Sequence, residues 1–266
     1  MQNAPLRVFI TGASSGLGSA LAHHYAKQGA MLGLAARRGE SLLALVDVLP
    51  NRERHCVYSL DVTDRAALHN AAHDFIQHAG GIDIVIANAG ISRGTLTEYT
   101  EDLDVFERIF ATNVIATVAT FSPFIDTMRE QAAAVQSQCR LVGIASVAGI
   151  RGLPGAGAYS ASKAAVISYC ESLRVELKKD GIKVVTIAPG YIDTPMTQAN
   201  DYAMPFLMPA DDFARHAAAA IARGDSYRVI PWQMGVVAKI LRLLPNCLYD
   251  FLFRNAPRKK RAQPNE

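Results

Sequence analysis

Short apolar runs punctuate this chain, and longer stretches with helix-compatible patterning separate most of them. The runs are RVFIT (7–11), MLGLAA (31–36), HCVYSL (55–60), IDIVIA (82–87), RLVGIA (140–145), KVVTIA (183–188) and YRVI (227–230), each of strand length. Several are apolar throughout rather than alternating, which is what a strand covered on both faces requires. Helices are expected at about 16–28, 41–49, 64–79, 101–129, 157–179 and 210–223. Ser41 and Thr63 are the expected N-caps of two of them, and Pro209 with Asp211 should open the last. Strand alternating with helix implies a parallel sheet, so the expected fold class is α/β: a doubly wound parallel sheet with helices on both faces, in a single domain over residues 1–256.

Composition narrows the setting. Half of the 266 residues are hydrophobic, enough for a large core, and the length suits one large α/β domain. The net charge of +3 is too small to suggest a nucleic-acid partner, and basic residues cluster only at Arg258-Lys259-Lys260-Arg261. Cys56, Cys139, Cys170 and Cys247 lie far apart, with no CxxC and no Cys/His ligand spacing. Neither a disulfide framework nor a metal site is expected, and a reducing, cytoplasmic compartment fits. The opening MQNAPLRVFITG lacks the pattern of a secretory signal. No uncharged apolar run reaches the ~20 residues needed to span a bilayer. Residues 257–266, basic and polar, read as a frayed tail.

Two short stretches carry chemistry. Immediately after the first strand comes TGASSGLG, with glycines at Gly12, Gly16 and Gly18 and serines at Ser14 and Ser15. At a strand-to-helix junction, missing Cβ atoms permit a tight turn, the close approach of a phosphate and close packing of helix on strand. The helix N-terminus favours the anion, so a dinucleotide site is the natural reading. The second stretch is AYSASKAA, residues 158–165, where Tyr159 and Lys163 stand four apart and share one helix face. Alone, such a pair is an ordinary solvated surface pair, and only its surroundings give it meaning.

Those surroundings resemble the short-chain dehydrogenase/reductase family. The G-x-x-x-G-x-G spacing, Asp61-Val62, Asn88-Ala89-Gly90, Asn113, Ser146, Tyr159 with Lys163, and PGYIDT from Pro189 to Thr194 follow the family's order over about residues 6–230. Ala87, Ala116 and Ala145 depart from its usual residues without removing a reacting group. The resemblance implies a Rossmann-like fold and a nicotinamide cofactor. It makes Tyr159 the proton donor in carbonyl reduction and the base in alcohol oxidation, with Lys163 stabilising the phenolate and touching the nicotinamide ribose. A free phenol has a pKa of ~10, and an ammonium ~4 Å away could offset several units of it before desolvation is subtracted. Ser146, at the carboxyl end of its strand, is placed to hold the substrate oxygen. Asn113 is implied to distort its helix and to hold a water that continues the proton relay. Asp61 is implied to contact the adenine amine with Val62 beside it, Asn88, Ala89 and Gly90 to admit the cofactor, and Pro189, Gly190, Ile192 and Thr194 to approach the nicotinamide amide.

Arg37 and Arg38 end the second strand where an NAD-selective enzyme would carry an acid, and guanidinium groups there suit the 2′-phosphate of NADP. NADP is therefore expected over NAD. Met196, Met204, Phe206, Leu207 and Met208 offer a soft apolar lining for a bulky carbonyl or alcohol substrate. From about residue 231 the chain continues as an amphipathic extension in which Val237, Ile240, Leu241 and Leu244 recur at helical spacing, with Leu248, Phe251 and Leu252 beyond. Contact with another subunit of a homo-oligomer, or folding back, is the expected cover; the basic run that follows also permits peripheral membrane contact, which is not favoured. The expectation is an NADP-dependent oxidoreductase. The competing readings are an idle cofactor-binding regulatory or scaffold protein, and a lyase or epimerase on the same fold.

Overall fold

The computed structural model describes residues 5–135, 139–200, 202–256, 259 and 261. All seven expected strands form: β1 (Arg7–Thr11), β2 (Met31–Ala36), β3 (Cys56–Ser59), β4 (Ile84–Ala87), β5 (Arg140–Ile144), β6 (Lys183–Pro189) and, after two short strands, β9 (Tyr227–Ile230). They make one parallel sheet in the order β3-β2-β1-β4-β5-β6-β9. The short strands β7 (Ile192–Asp193) and β8 (Met208–Pro209), with the one-turn helix α8 (Pro195–Gln198) between them, pair with each other beyond the carboxyl end of β6. Because successive side chains point to opposite faces, each strand feeds two cores. Val8, Ile10, Leu32, Leu34, Val142 and Ile187 face one side, with Leu21 of α1 (Gly16–Lys27) and Phe213 of α9 (Ala210–Arg223). Phe9, Ala35, Val85 and Leu141 face the other, with Phe75 of α3 (Arg65–Ala79) and Val166 and Cys170 of α7 (Gly157–Glu176). This two-sided burial explains why the strands read as unbroken apolar runs.

The helix starts differ from expectation in two places. Helix α2 (Gly39–Asp47) begins before Ser41, with Arg38 at its N-cap. Helix α3 is capped by Asp64, whose carboxylate accepts from Ala67 N at 3.0 Å, whereas the Thr63 hydroxyl turns back to donate to Asp61 at 2.7 Å. The single helix expected at 101–129 is broken. Helix α4 (Asp102–Phe110) runs into a π-helical turn (Ala111–Ile115), then α5 (Ala116–Phe121), a 3-10 turn at Ser122–Phe124 containing Pro123, and α6 (Ile125–Val135). By length and composition alone Asp102–Ala134 is long and apolar enough to cross a bilayer; here Phe121, Phe124 and Met128 lie in the core.

The extension folds as α10 (Trp232–Leu243) and α11 (Asn246–Phe253). Met234 and Ala238 are buried, Val237, Leu241 and Leu244 are half-buried, and Trp232, Ile240, Leu243, Leu248, Phe251 and Leu252 are exposed. Folding back therefore covers part of the expected stripe. Arg151 fastens it: its guanidinium donates to Leu244 O at 2.8 Å and also to Leu241 O, and lies 3.9 Å from the Tyr249 ring centroid. A cation is well placed at the carbonyl end of a helix. Of the residues read as a tail, Lys259 and Arg261 are held by side-chain bonds. Arg258, Lys260 and the rest of 257–266 lie outside the described residues.

Candidate active site

The strand order reverses between β1 and β4, and the connections that follow these two strands leave in opposite directions. Open α/β sheets form their ligand crevice at such a point. Gly12, at φ +68°, turns the chain out of β1, and a Cβ on it would lie 2.8 Å from Ala89 Cα. A Cβ on Gly18 would lie 2.6 Å from Asn88 Nδ2. The glycine turn is thus pressed against the end of β4, where no larger residue fits. Asn88 completes the joint by donating from Nδ2 to Thr11 O (2.9 Å) and Gly12 O (3.1 Å), while the Thr11 hydroxyl accepts from Asn88 N and Ala89 N, both at 3.2 Å. Thr11 is a site residue that the sequence reading passed over. Its signal was its place directly before the first glycine.

Helix α1 starts at Gly16, its first turn holds no acidic residue, and the Ser15 side chain makes no capping bond. The first-turn N–H groups and the positive helix end are left for an anion. Around the same point Arg38 Nη2 donates to Ser15 Oγ (2.8 Å) and Ser14 Oγ (3.2 Å). Arg37 instead stands 3.9 Å from Asp61 in an exposed ion pair. Asp61 also accepts from Thr63 N at 2.9 Å. The two arginines, equivalent in the sequence, are therefore unequal: among the described residues Arg38 has only neutral hydroxyl partners for its guanidinium, whereas Arg37 already has a carboxylate.

At the other end, Ser146 follows β5. Its hydroxyl donates to Pro189 O (3.4 Å) and accepts from Ala148 N (3.1 Å). Tyr159 and Lys163 share a face of α7, with Lys163 Nζ 5.8 Å from the Tyr159 ring centroid. Lys163 is buried and donates to Ile144 O at 2.8 Å. Burial pulls its ammonium down to about 8, against the weaker pull of Cys170. Burial pushes the Tyr159 phenol up, and a hydrogen bond with Ser146 works the other way. The pull of Lys163 read from the sequence leaves desolvation out; in the folded chain desolvation is the larger effect on Tyr159, and it keeps the phenol above the ordinary tyrosine value.

One cavity of about 590 Å³ joins the two ends. It is lined by Gly12, Ser14, Ser15, Gly16, Arg37, Arg38, Asp61, Val62, Asn88, Ala89 and Gly90 toward the glycine turn. Ser146, Tyr159, Lys163, Pro189, Gly190, Ile192 and Thr194 line it toward the other end. Two expected residues act from behind the wall. Gly18 sets the packing of the turn. Asn113 is buried in the π-helical turn, where Oδ1 accepts from Ile91 N (2.8 Å) and Nδ2 donates to Ile91 O (3.0 Å) and to Ser162 Oγ (2.9 Å). It ties the loop after β4 to helix α7. Of the apolar residues proposed to line a substrate site, Met196 reaches the cavity, Met208 packs against the core, and Phe206 and Leu207 are exposed. The glycine cradle, the uncapped helix end and the hydroxyl and guanidinium donors fit the pyrophosphate and ribose of a dinucleotide.

The likeness to known proteins agrees with this geometry. A short chain dehydrogenase family model matches residues 7–204. An uncharacterized oxidoreductase of Myxococcus xanthus is 38% identical over 249 residues, which span 91% of this chain and 93% of that protein. Dehydrogenase/reductase SDR family member 7B of Bos taurus is 35% identical over 198 residues, 71% of this chain and 59% of that protein. Among solved structures, a 3-ketoacyl-(acyl-carrier-protein) reductase from Brucella melitensis complexed with NADH superposes with a TM-score of 0.77 at 25% identity, covering 85% of this chain and 96% of that one. The chain belongs to the short-chain dehydrogenase/reductase family. It is an NAD(P)-dependent oxidoreductase acting on small molecules.

Proposed function

We propose that this protein is an NADP-dependent reductase of bulky, largely apolar carbonyl compounds, and oxidises the matching secondary alcohols in reverse. The observation that carries the reading is the convergence of Ser146, Tyr159 and Lys163 with the glycine cradle in one cavity. The glycine cradle would hold the pyrophosphate of a dinucleotide and Pro189, Gly190, Ile192 and Thr194 would face its nicotinamide, which would supply the hydride. Tyr159, protonated at neutral pH, would deliver the proton to the carbonyl oxygen. Ser146 holds the same oxygen by hydrogen bond. Lys163 sets a positive field beside the ring as negative charge reaches the phenol oxygen. Asn113 positions α7 against the loop after β4 and so keeps these groups in register.

Arg38, with Ser14 and Ser15, supports NADP over NAD, since a guanidinium with hydroxyl partners suits a phosphate monoester. Exposed Leu103, Phe106, Ile115 and Val118 on α4 to α5 support a homo-oligomer, and the absence of disulfides among the described residues is consistent with the cytoplasm.

The test is a panel of ketones, aldehydes, quinones and acyl derivatives followed by NADPH oxidation, with cofactor binding measured by calorimetry. NADPH should bind at least about tenfold more tightly than NADH, and Arg38→Ala should remove most of that preference. Equal dissociation constants would overturn the cofactor assignment. Tight NADPH binding with no turnover would favour the idle regulatory protein, and product without net NADPH consumption would favour the lyase or epimerase.

A further inference from the structure

Beyond α11 the chain returns to the neighbourhood of the cavity. Gly94, in the loop after β4, pairs in parallel with Arg261, and its neighbour Thr95 pairs in parallel with Ala156, the residue before α7. The C-terminal arm therefore docks beside the segment that launches Tyr159. Arg261 latches it. Its guanidinium donates to Asp102 at 2.9 and 3.0 Å and to Glu101 at 3.1 Å, and lies 3.5 Å from the Tyr99 ring centroid. Asp102 is buried and, among the described residues, otherwise accepts only from Leu96 N, at 2.7 Å. Arg261 thus provides the countercharge that a buried carboxylate needs.

Lys259, two residues before Arg261, contacts the same loop after β4. Its Nζ donates to Ser92 Oγ at 2.7 Å and lies 5.5 Å from the Tyr159 ring centroid. Among the described residues it makes no ion pair with a carboxylate. Burial first, and Arg93 second, pull its ammonium down to about 8. Partly desolvated ammonium groups are ordinarily paired with carboxylates. This one has a hydroxyl, an aromatic ring and a like charge, and it stands beside the proposed proton donor. An anion brought by the ligand would complete its surroundings.

We propose that Lys259 is a specificity-determining residue whose ammonium receives a carboxylate carried by the carbonyl substrate, with Arg261 holding the arm in place. The substrate class is then an oxo acid with an apolar body. This rests on Tyr159 marking the reacting end of the cavity.

The probes are 2-oxo-4-phenylbutyrate and 4-oxo-4-phenylbutyrate, each against its methyl ester, titrated by calorimetry into the full chain with oxidised cofactor bound to block turnover. The wild type should bind at least one acid about tenfold more tightly than its ester, the effect of one well-placed partly buried charge pair. Lys259→Gln should bring the acid-to-ester ratio close to one, Arg261→Ala should move it the same way, and Lys259→Arg should retain it. The absence of an acid preference in the wild type, or an equal weakening of acid and ester in Lys259→Gln, would overturn the proposal. NADPH-dependent turnover of the esters by the wild type reports separately on the reductase reading: acid-selective binding without any turnover would sink that reading and leave the role of Lys259 standing.

Discussion

Lys163 shows how one side chain can be costly to the fold and useful to the site. It is buried with a backbone carbonyl as its hydrogen-bond acceptor, and its folded-state pKa of about 8 lies below the ordinary 10.5. Between those pH values the unfolded chain binds more protons than the folded one, so this residue makes stability rise with pH across that window. Below pH 8 the cost of burying the charge is fully present. Lys163→Met should therefore be more stable than the wild type at pH 7, by about 1 to 3 kcal/mol, and the gain should fade toward pH 10.5. Urea unfolding at pH 7 and pH 10 checks this; a gain that grows with pH would contradict the assigned direction. The i, i+4 spacing of Tyr159 and Lys163 was legible in the sequence. The energetic order was not, because desolvation depends on Ile144, Gly90 and the loop after β4, which only the fold brings around the amine.

At the scale of elements, the site is the contact between a turn and a strand end. Gly18, in the first turn of α1, leaves no room for a side chain at that contact. Gly18→Ala would place a methyl against Asn88 and the backbone of Gly12 and Ala13, and overpacking of this kind costs about 1 to 3 kcal/mol. Loss of stability on that scale in urea unfolding, with weakened cofactor binding, is the expected outcome. A variant within 0.5 kcal/mol of wild type would mean the contact is looser than described. The strands were legible because burial on both faces writes an apolar run into the sequence. The break of the long helix was only half legible: the family resemblance implied that Asn113 distorts it, but the π-helical turn is held by Asn113 bonding to Ile91 and Ser162, which are distant in sequence. Thr63 and Asp64 show the limit at caps, since two adjacent residues can each do the work and the neighbouring carboxylate of Asp61 decides between them.

For the molecule as a whole, the C-terminal part separates what the chain's pattern discloses from what it hides. The apolar spacing of α10 announced a helix, yet its partner Arg151 sits about ninety positions upstream. Arg261 and Lys259 read as solvated basic residues because their partners, Asp102, Tyr99 and Ser92, belong to a loop and helix that the tail meets only after the sheet is built. The central claim is simpler and lies inside the cavity: one phenol moves the proton while the glycine cradle, built from other elements, holds the cofactor. Tyr159→Phe keeps the ring and removes only the hydroxyl, so NADPH oxidation with the best carbonyl of the panel and NADPH affinity by calorimetry, measured on the same preparation, test that division of labour. The account predicts turnover reduced by at least about 100-fold with cofactor affinity within a few-fold of the wild type, whereas near-normal turnover in the variant would contradict it.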